Sequence, residues 1–155
     1  MDKTLQPTLY ISHGSPMTAL EPREAGAFMQ RLGPVLEARF GRPKAILAIS
    51  AHSLTREPVL LAAPRHEAVY DFGGFAPELY AIRYAPPGAA EVGARARALL
   101  DAAGFATRSD PTRGLDHGGW VPLSLMYPPA DIPVVQLSVQ PRRDADHHLR
   151  LGQAA

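Results

Sequence analysis

Cysteine is absent from this chain, which excludes disulfides, thiolate metal sites and a cysteine nucleophile. Histidine and carboxylate are then the only strong metal ligands left. Charge of either sign is scarce in excess: 16 Lys+Arg against 15 Asp+Glu gives +1, with no basic stripe or run, so neither nucleic acid nor an anionic membrane is implied as partner. No apolar run approaches the roughly 20 residues that span a bilayer. The first residues, Met1 to Thr8, hold no apolar signal-peptide core, so the expected location is the cytoplasm. Several catalytic signatures are missing as well: no G-x-S-x-G elbow, no Walker A run, no G-x-G-x-x-G and no H-E-x-x-H. Ser15 follows a His-Gly pair, but nothing marks it as an activated nucleophile.

What is present suits one globular domain. The 155 residues are 46% hydrophobic and 20% charged, enough for one real core and too few for two comfortable ones. Sixteen prolines, several in short clusters such as Pro86-Pro87-Gly88 and Pro128-Pro129, point to rigid shaped loops.

The main signal is a pair of strand-like runs that end alike. Pro7-Thr-Leu-Tyr-Ile-Ser12 leads into His13, and Ala45-Ile-Leu-Ala-Ile-Ser50 leads through Ala51 into His52. Strands are expected at about Thr8–Ser12 and Ala45–Ser50. A helical stretch from Pro22 or Arg23 lies between them, with a kink or break expected at Gly33-Pro34. In open α/β sheets ligands bind at the carboxyl edge of the strands. Two imidazoles there, on strands about 4.8 Å apart, could share one metal ion.

Further strands are expected at Val59–Ala63, near Phe105–Arg108 and at Ile132–Val139. Helices are expected at Gly88–Ala103, from Trp120 or Val121 to Tyr127-Pro128, and from Ala145 as an unfinished stretch. The expected fold class is a doubly wound α/β fold, a mostly parallel sheet flanked by helices and incomplete at its carboxyl end.

His117 stands in Asp116-His-Gly-Gly119, and Asp116 could orient its imidazole. Against that stands Asp116 as a plain helix cap beside an incidental histidine. His66, His147 and His148 have no comparable setting and are read as surface residues. Residues 64–87 form a long aromatic-rich connection with Tyr70, Phe72, Phe75 and Tyr80. Such rings either anchor a loop as a satellite cluster or wall an aromatic ligand, and the sequence leaves both open.

Six segments, in order, carry a resemblance. They are Leu9-Tyr-Ile-Ser-His-Gly-Ser-Pro-Met17, Pro43-Lys-Ala-Ile-Leu-Ala-Ile-Ser-Ala-His52, Tyr70-Asp-Phe-Gly-Gly-Phe75, Pro77-Glu-Leu-Tyr80, Arg113-Gly-Leu-Asp-His-Gly-Gly-Trp-Val-Pro-Leu123 and Ala130-Asp-Ile-Pro-Val-Val-Gln-Leu-Ser138. With them the chain resembles the DOPA-type class III extradiol aromatic ring-opening dioxygenases, the protocatechuate dioxygenase-like enzymes. The resemblance implies a doubly wound α/β domain over residues 1–155, a catechol-type substrate with dioxygen, and a mononuclear Fe2+, with Zn2+ as the alternative. It implies His13 and His52 as metal ligands and His117 as an active-site histidine that contacts the substrate region. His117 is the catalytic candidate within this chain, while the family's acid–base histidine lies in a later motif. Asp116, Tyr70, Phe72 and Phe75 then fall on the substrate side.

Two departures accompany it. The family usually has tryptophan after the second ligand histidine, where this chain has Ser53. Family members also continue beyond the position of Ala155, into a His-Asn motif and a further metal ligand. The expectation is therefore a ring-cleaving enzyme that is weak or inactive as this 155-residue chain. The rival readings are a tetrapyrrole metal chelatase, which also uses a His-Gly-Ser turn, and a non-catalytic metal-binding remnant. The third metal ligand, the native metal, the particular catechol and assembly as a homo-oligomer stay open.

Overall fold

The computed structural model describes residues 5–155. Its four-stranded sheet is built from β1 (Ile46–Leu54), β2 (Val59–Leu61), β3 (Arg108–Asp110) and β4 (Val134–Val139), in the order β1-β4-β2-β3. β1 lies parallel to β4 and β2 parallel to β3, while β2 runs antiparallel to β4. The sheet is thus mixed but mostly parallel, as an α/β fold requires.

Four helices cover it: α1 (Arg23–Phe40), α2 (Ala90–Ala102), α3 (His117–Met126) and α4 (Ala145–Ala154). Burial on both faces explains the apolar run of β4, an interior strand. Val134 joins the core under α1 and α3, with Met29, Leu36, Trp120, Val121 and Met126. Val135 and Leu137 join the opposite core, with Leu100 of α2 and Leu151 of α4.

The expected strand at Thr8–Ser12 is not formed: residues 5–15 are irregular, with Leu9 44% and Tyr10 fully exposed. Alternating apolar residues suit a strand, but a strand persists only with a neighbour to share its ladder. The segment is pinned by other means. The Gln6 side-chain amide donates to the Phe40 and Gly41 carbonyls, each at 3.0 Å, and Ile11 packs against the α1/α3 core. β4 is buried, and an open apolar edge belongs to β1, where Ile49 and Leu54 are 56% and 53% exposed.

Nor does Gly33-Pro34 break the first helix, which runs unbroken from Arg23 to Phe40. A residue before proline is pushed out of the helical region partly through its Cβ, and glycine has none. The same missing Cβ lets α1 cross the last turn of α3, since a Cβ on Gly33 would lie 2.1 Å from the Met126 carbonyl oxygen.

Candidate metal centre

Three imidazoles from three separate segments meet at one end of β1. Each of His13, His52 and His117 offers one ring nitrogen, and these three atoms lie within 4.8 Å of one another. The Nε2 atoms of His13 and His52 are 3.0 Å apart. That is the short end of the roughly 3–4 Å that two nitrogens require to share one ion at about 2.1 Å each. The ring centroids of His52 and His117 are 4.0 Å apart, and that of His13 is 4.9 Å from each. Three imidazoles converging on one point form a donor set that fits a divalent transition metal.

Each histidine is placed by a local device. His13 precedes Gly14, whose φ of +66° turns the chain sharply, and Ser15 then caps a 3₁₀ turn at Pro16–Ala19 by accepting from the Met17 amide. Burial comes first among the causes that hold the pKa of His13 below its ordinary value, followed by its two histidine neighbours. The proton-free form that a metal needs is thereby favoured.

His52 was expected just past a strand end, and instead stands inside β1. The β1–β4 ladder runs to Ile49↔Leu137 and resumes at Leu54↔Val139, so residues 50–53 bulge opposite Ser138 alone. Bulges of this kind re-aim side chains beside active sites. Ser53, where the family's tryptophan would stand, is 1% exposed with an unpartnered hydroxyl, so it faces the interior.

His117 is the first residue of α3, three residues earlier than glycine's poor helix propensity suggested. The two glycines are required by packing. A Cβ on Gly118 would lie 2.4 Å from Ser50 Oγ, and one on Gly119 2.4 Å from Gln136 Oε1. Contact with the sheet outweighs propensity.

Asp116 does not touch the imidazole of His117 in the manner expected. It is wholly buried and caps α3, accepting from the Gly118 amide at 2.9 Å, from Ser50 Oγ at 2.5 Å and from Gln136 Nε2 at 2.7 Å. Ser50 Oγ in turn accepts from the His52 amide at 3.2 Å. Asp116 therefore ties α3 to β1 and β4 beneath the histidines. The contact with the His117 ring is made instead by Asp71, which sequence reasoning missed. One oxygen of Asp71 accepts both the backbone amide of His117, at 3.0 Å, and its Nδ1–H, at 2.8 Å. Burial works to raise the pKa of Asp71, but these hydrogen bonds outweigh it and hold the carboxyl below its usual range. The Tyr70-Asp-Phe72 run contained the signal, an acid amid aromatics, but not which histidine it would meet.

Phe72 is the aromatic nearest the cluster, edge-on to His117 at 5.6 Å. Phe75 and Tyr80 each lie 5.4 Å from Phe72. Tyr70 packs on Trp120 and Tyr80 and donates its hydroxyl to the Ile82 carbonyl. Of the three remaining histidines, His66 and His147 are buried rather than at the surface, and His148 is partly covered. His66 Nε2–H donates to the Val134 carbonyl, and His147 donates to Gln140 Oε1.

Known proteins match this chain over nearly its whole length. The profile of the family described as the catalytic LigB subunit of aromatic ring-opening dioxygenase matches residues 7–155. A Beta vulgaris protein named 4,5-DOPA dioxygenase extradiol is 44% identical over 155 residues, 99% of this chain and 57% of that protein. An Escherichia coli K12 protein of the same name is 39% identical over 153 residues, covering 99% and 55%. The chain thus spans about half the length of the curated relatives it matches. Among solved structures, uncharacterized protein JW3007 from Escherichia coli K12 superposes with a TM-score of 0.59 at 32% identity, over 80% of this chain and 43% of that one.

Proposed function

The chain belongs to the LigB family of aromatic ring-opening dioxygenases, and from that premise we propose that it carries the site of an extradiol dioxygenase for catechol-type substrates. The observation that carries this reading is the convergence of His13, His52 and His117. His13 and His52 hold the metal through their Nε2 atoms. Ferrous iron is the functional ion, because zinc supplies no redox chemistry and ring opening must pass electrons from catechol to dioxygen.

An ion held there would make the catechol hydroxyls easier to deprotonate and supply the redox chemistry. The chain's own residues do the rest. With Nδ1 engaged by Asp71, His117 leaves Nε2 as the ring nitrogen for a bound catechol, to exchange a hydroxyl proton with it or to orient its oxygen. Phe72 stands beside that imidazole as one wall for a flat aromatic ring, with Phe75 and Tyr80 behind it and Tyr70 anchoring the segment. Asp116 serves the substrate indirectly, by fixing the start of α3. The name 4,5-DOPA dioxygenase on the relatives supports a DOPA-like catechol.

Binding is tested apart from turnover. The chain is loaded anaerobically with Fe(II) and titrated with 4-nitrocatechol, whose visible band shifts on ionisation. Oxygen is then admitted with DOPA and a panel of other catechols. A saturable band shift that His13→Ala and His52→Ala abolish is expected, followed by oxygen uptake and a yellow semialdehyde that are weak beside those of a full-length relative. Absence of both the shift and the uptake overturns the reading.

A further inference from the structure

The long connection between β2 and α2 does more than place aromatic rings. Its first part is strapped against the loop that leads into α3. The Val69 amide donates to the Leu115 carbonyl at 2.7 Å, and the Leu115 amide donates to the Glu67 carbonyl at 3.0 Å. Trp120 Nε1–H adds a third tie, to the Val69 carbonyl at 3.0 Å. The two backbones touch so closely that a Cβ on Gly114 would lie 1.9 Å from the Glu67 carbonyl oxygen. Three hydrogen bonds and one glycine contact therefore fix where residue 71 emerges.

At that point a single carboxylate oxygen of Asp71 takes both the backbone amide and the ring Nδ1 of His117. Two bonds from one atom to two parts of the same residue hold the imidazole's rotation as well as its position. An ionised carboxylate can only accept, so the bonded Nδ1 carries a proton, and in the neutral imidazole Nε2 is then the bare nitrogen. Which nitrogen of a histidine is protonated is set by the bond that the other makes.

We propose that Asp71 is a positioning residue: it locks His117 in the Nδ1–H tautomer, with Nε2 turned to the centre shared by His13 and His52, and so couples that imidazole to the aromatic segment. The proposal rests on the reading of the cluster as a metal and catechol site. The coupling follows from sequence adjacency. Tyr70 is held by the Ile82 carbonyl and by Arg83 at 2.6 Å, and Phe72 lies edge-on to His117. Asp71 sits between them, so any shift of the segment draws the carboxylate off the ring. Asp116 cannot substitute, since its two oxygens are engaged by Ser50, Gly118 and Gln136.

The test is made on the whole 155-residue chain with histidine labelled in ¹⁵N. Long-range proton–nitrogen correlation spectra of the metal-free protein at neutral pH report the tautomer of His117, assigned by its loss in His117→Ala. The wild type is expected to show a protonated Nδ1 and an unprotonated Nε2. In Asp71→Ala the Nδ1–H form should be lost. Asp71→Asn keeps an acceptor for the His117 amide and guards against a fold that fails in the alanine variant. Its side-chain amide can also donate to Nδ1, and should shift His117 toward the form with Nδ1 unprotonated. In the Zn(II)-loaded chain, 4-nitrocatechol binding should weaken in Asp71→Ala by about 10–100-fold, the usual cost of deleting an outer partner of a site imidazole. An unprotonated Nδ1 in the wild type overturns the proposal. So does a folded Asp71→Ala with the wild-type tautomer. Failure of the loaded wild type to take up nitrocatechol would instead count against the catechol reading, and the metal-free spectra would still decide the tautomer.

Discussion

His66 and Val134 join the long connection to the middle of the sheet: the buried Nε2–H of His66 donates to the Val134 carbonyl at 2.9 Å. Burial lowers the pKa of this imidazole, ahead of the opposing effect of its backbone hydrogen bonds. The unfolded chain therefore takes up a proton more readily than the folded one, below an unfolded pKa of about 6.5. Stability is complete above that pH and falls as the medium becomes more acidic. Urea midpoints should drop between pH 7.5 and 5, and His66→Gln should flatten that slope while lowering stability at pH 7.5.

Asp116 is the hub on which the site is built, and its removal should cost more than a helix cap alone. Asp116→Ala loses the cap, worth about 1 kcal/mol. It also strands the buried Ser50 hydroxyl and Gln136 amide, at about 1–3 kcal/mol each. A total of about 3–7 kcal/mol is expected from denaturant unfolding.

The outer edge of β1 carries Ile49 and Leu54, both more than half exposed, and no strand covers it among the described residues. Long apolar edges invite pairing with other chains. Sedimentation should show association that grows with concentration, and Ile49→Lys should shift the chain toward monomer. A strictly monomeric wild type at high concentration would contradict this.

Gly118 is held to glycine by the sheet beneath it. Gly118→Ala should destabilise the fold by about 1–3 kcal/mol, the usual cost of overpacking a close contact. It should also weaken metal binding, because Ser50 Oγ and the His52 ring both lie against the new Cβ, at 2.4 and 3.0 Å. Calorimetric Zn(II) titration beside a melting curve separates the two effects.

Much of this was legible in the sequence. The apolar runs of β1 and β4, the helix over α2 and the α/β class follow from the sequence pattern, and His13 and His52 could be paired from it. Thr8–Ser12 could not be judged, because a strand depends on a neighbour that its own residues do not encode. The continuity of α1 through Pro34 and the early start of α3 were hidden for a related reason. In both places glycine reads as a breaker but serves close packing against a distant element. Asp71 was obscured because its partner lies 46 residues away. The buried state of His66 likewise depends on a contact 68 residues along the chain.

The central claim is that His13 and His52 hold one divalent ion beside His117. Anomalous diffraction from crystals grown anaerobically with Fe(II), collected across the iron edge, tests it most directly. The account predicts a single peak about 2.1 Å from the Nε2 atoms of both His13 and His52. A peak elsewhere in the chain, or none at full iron loading, would contradict it.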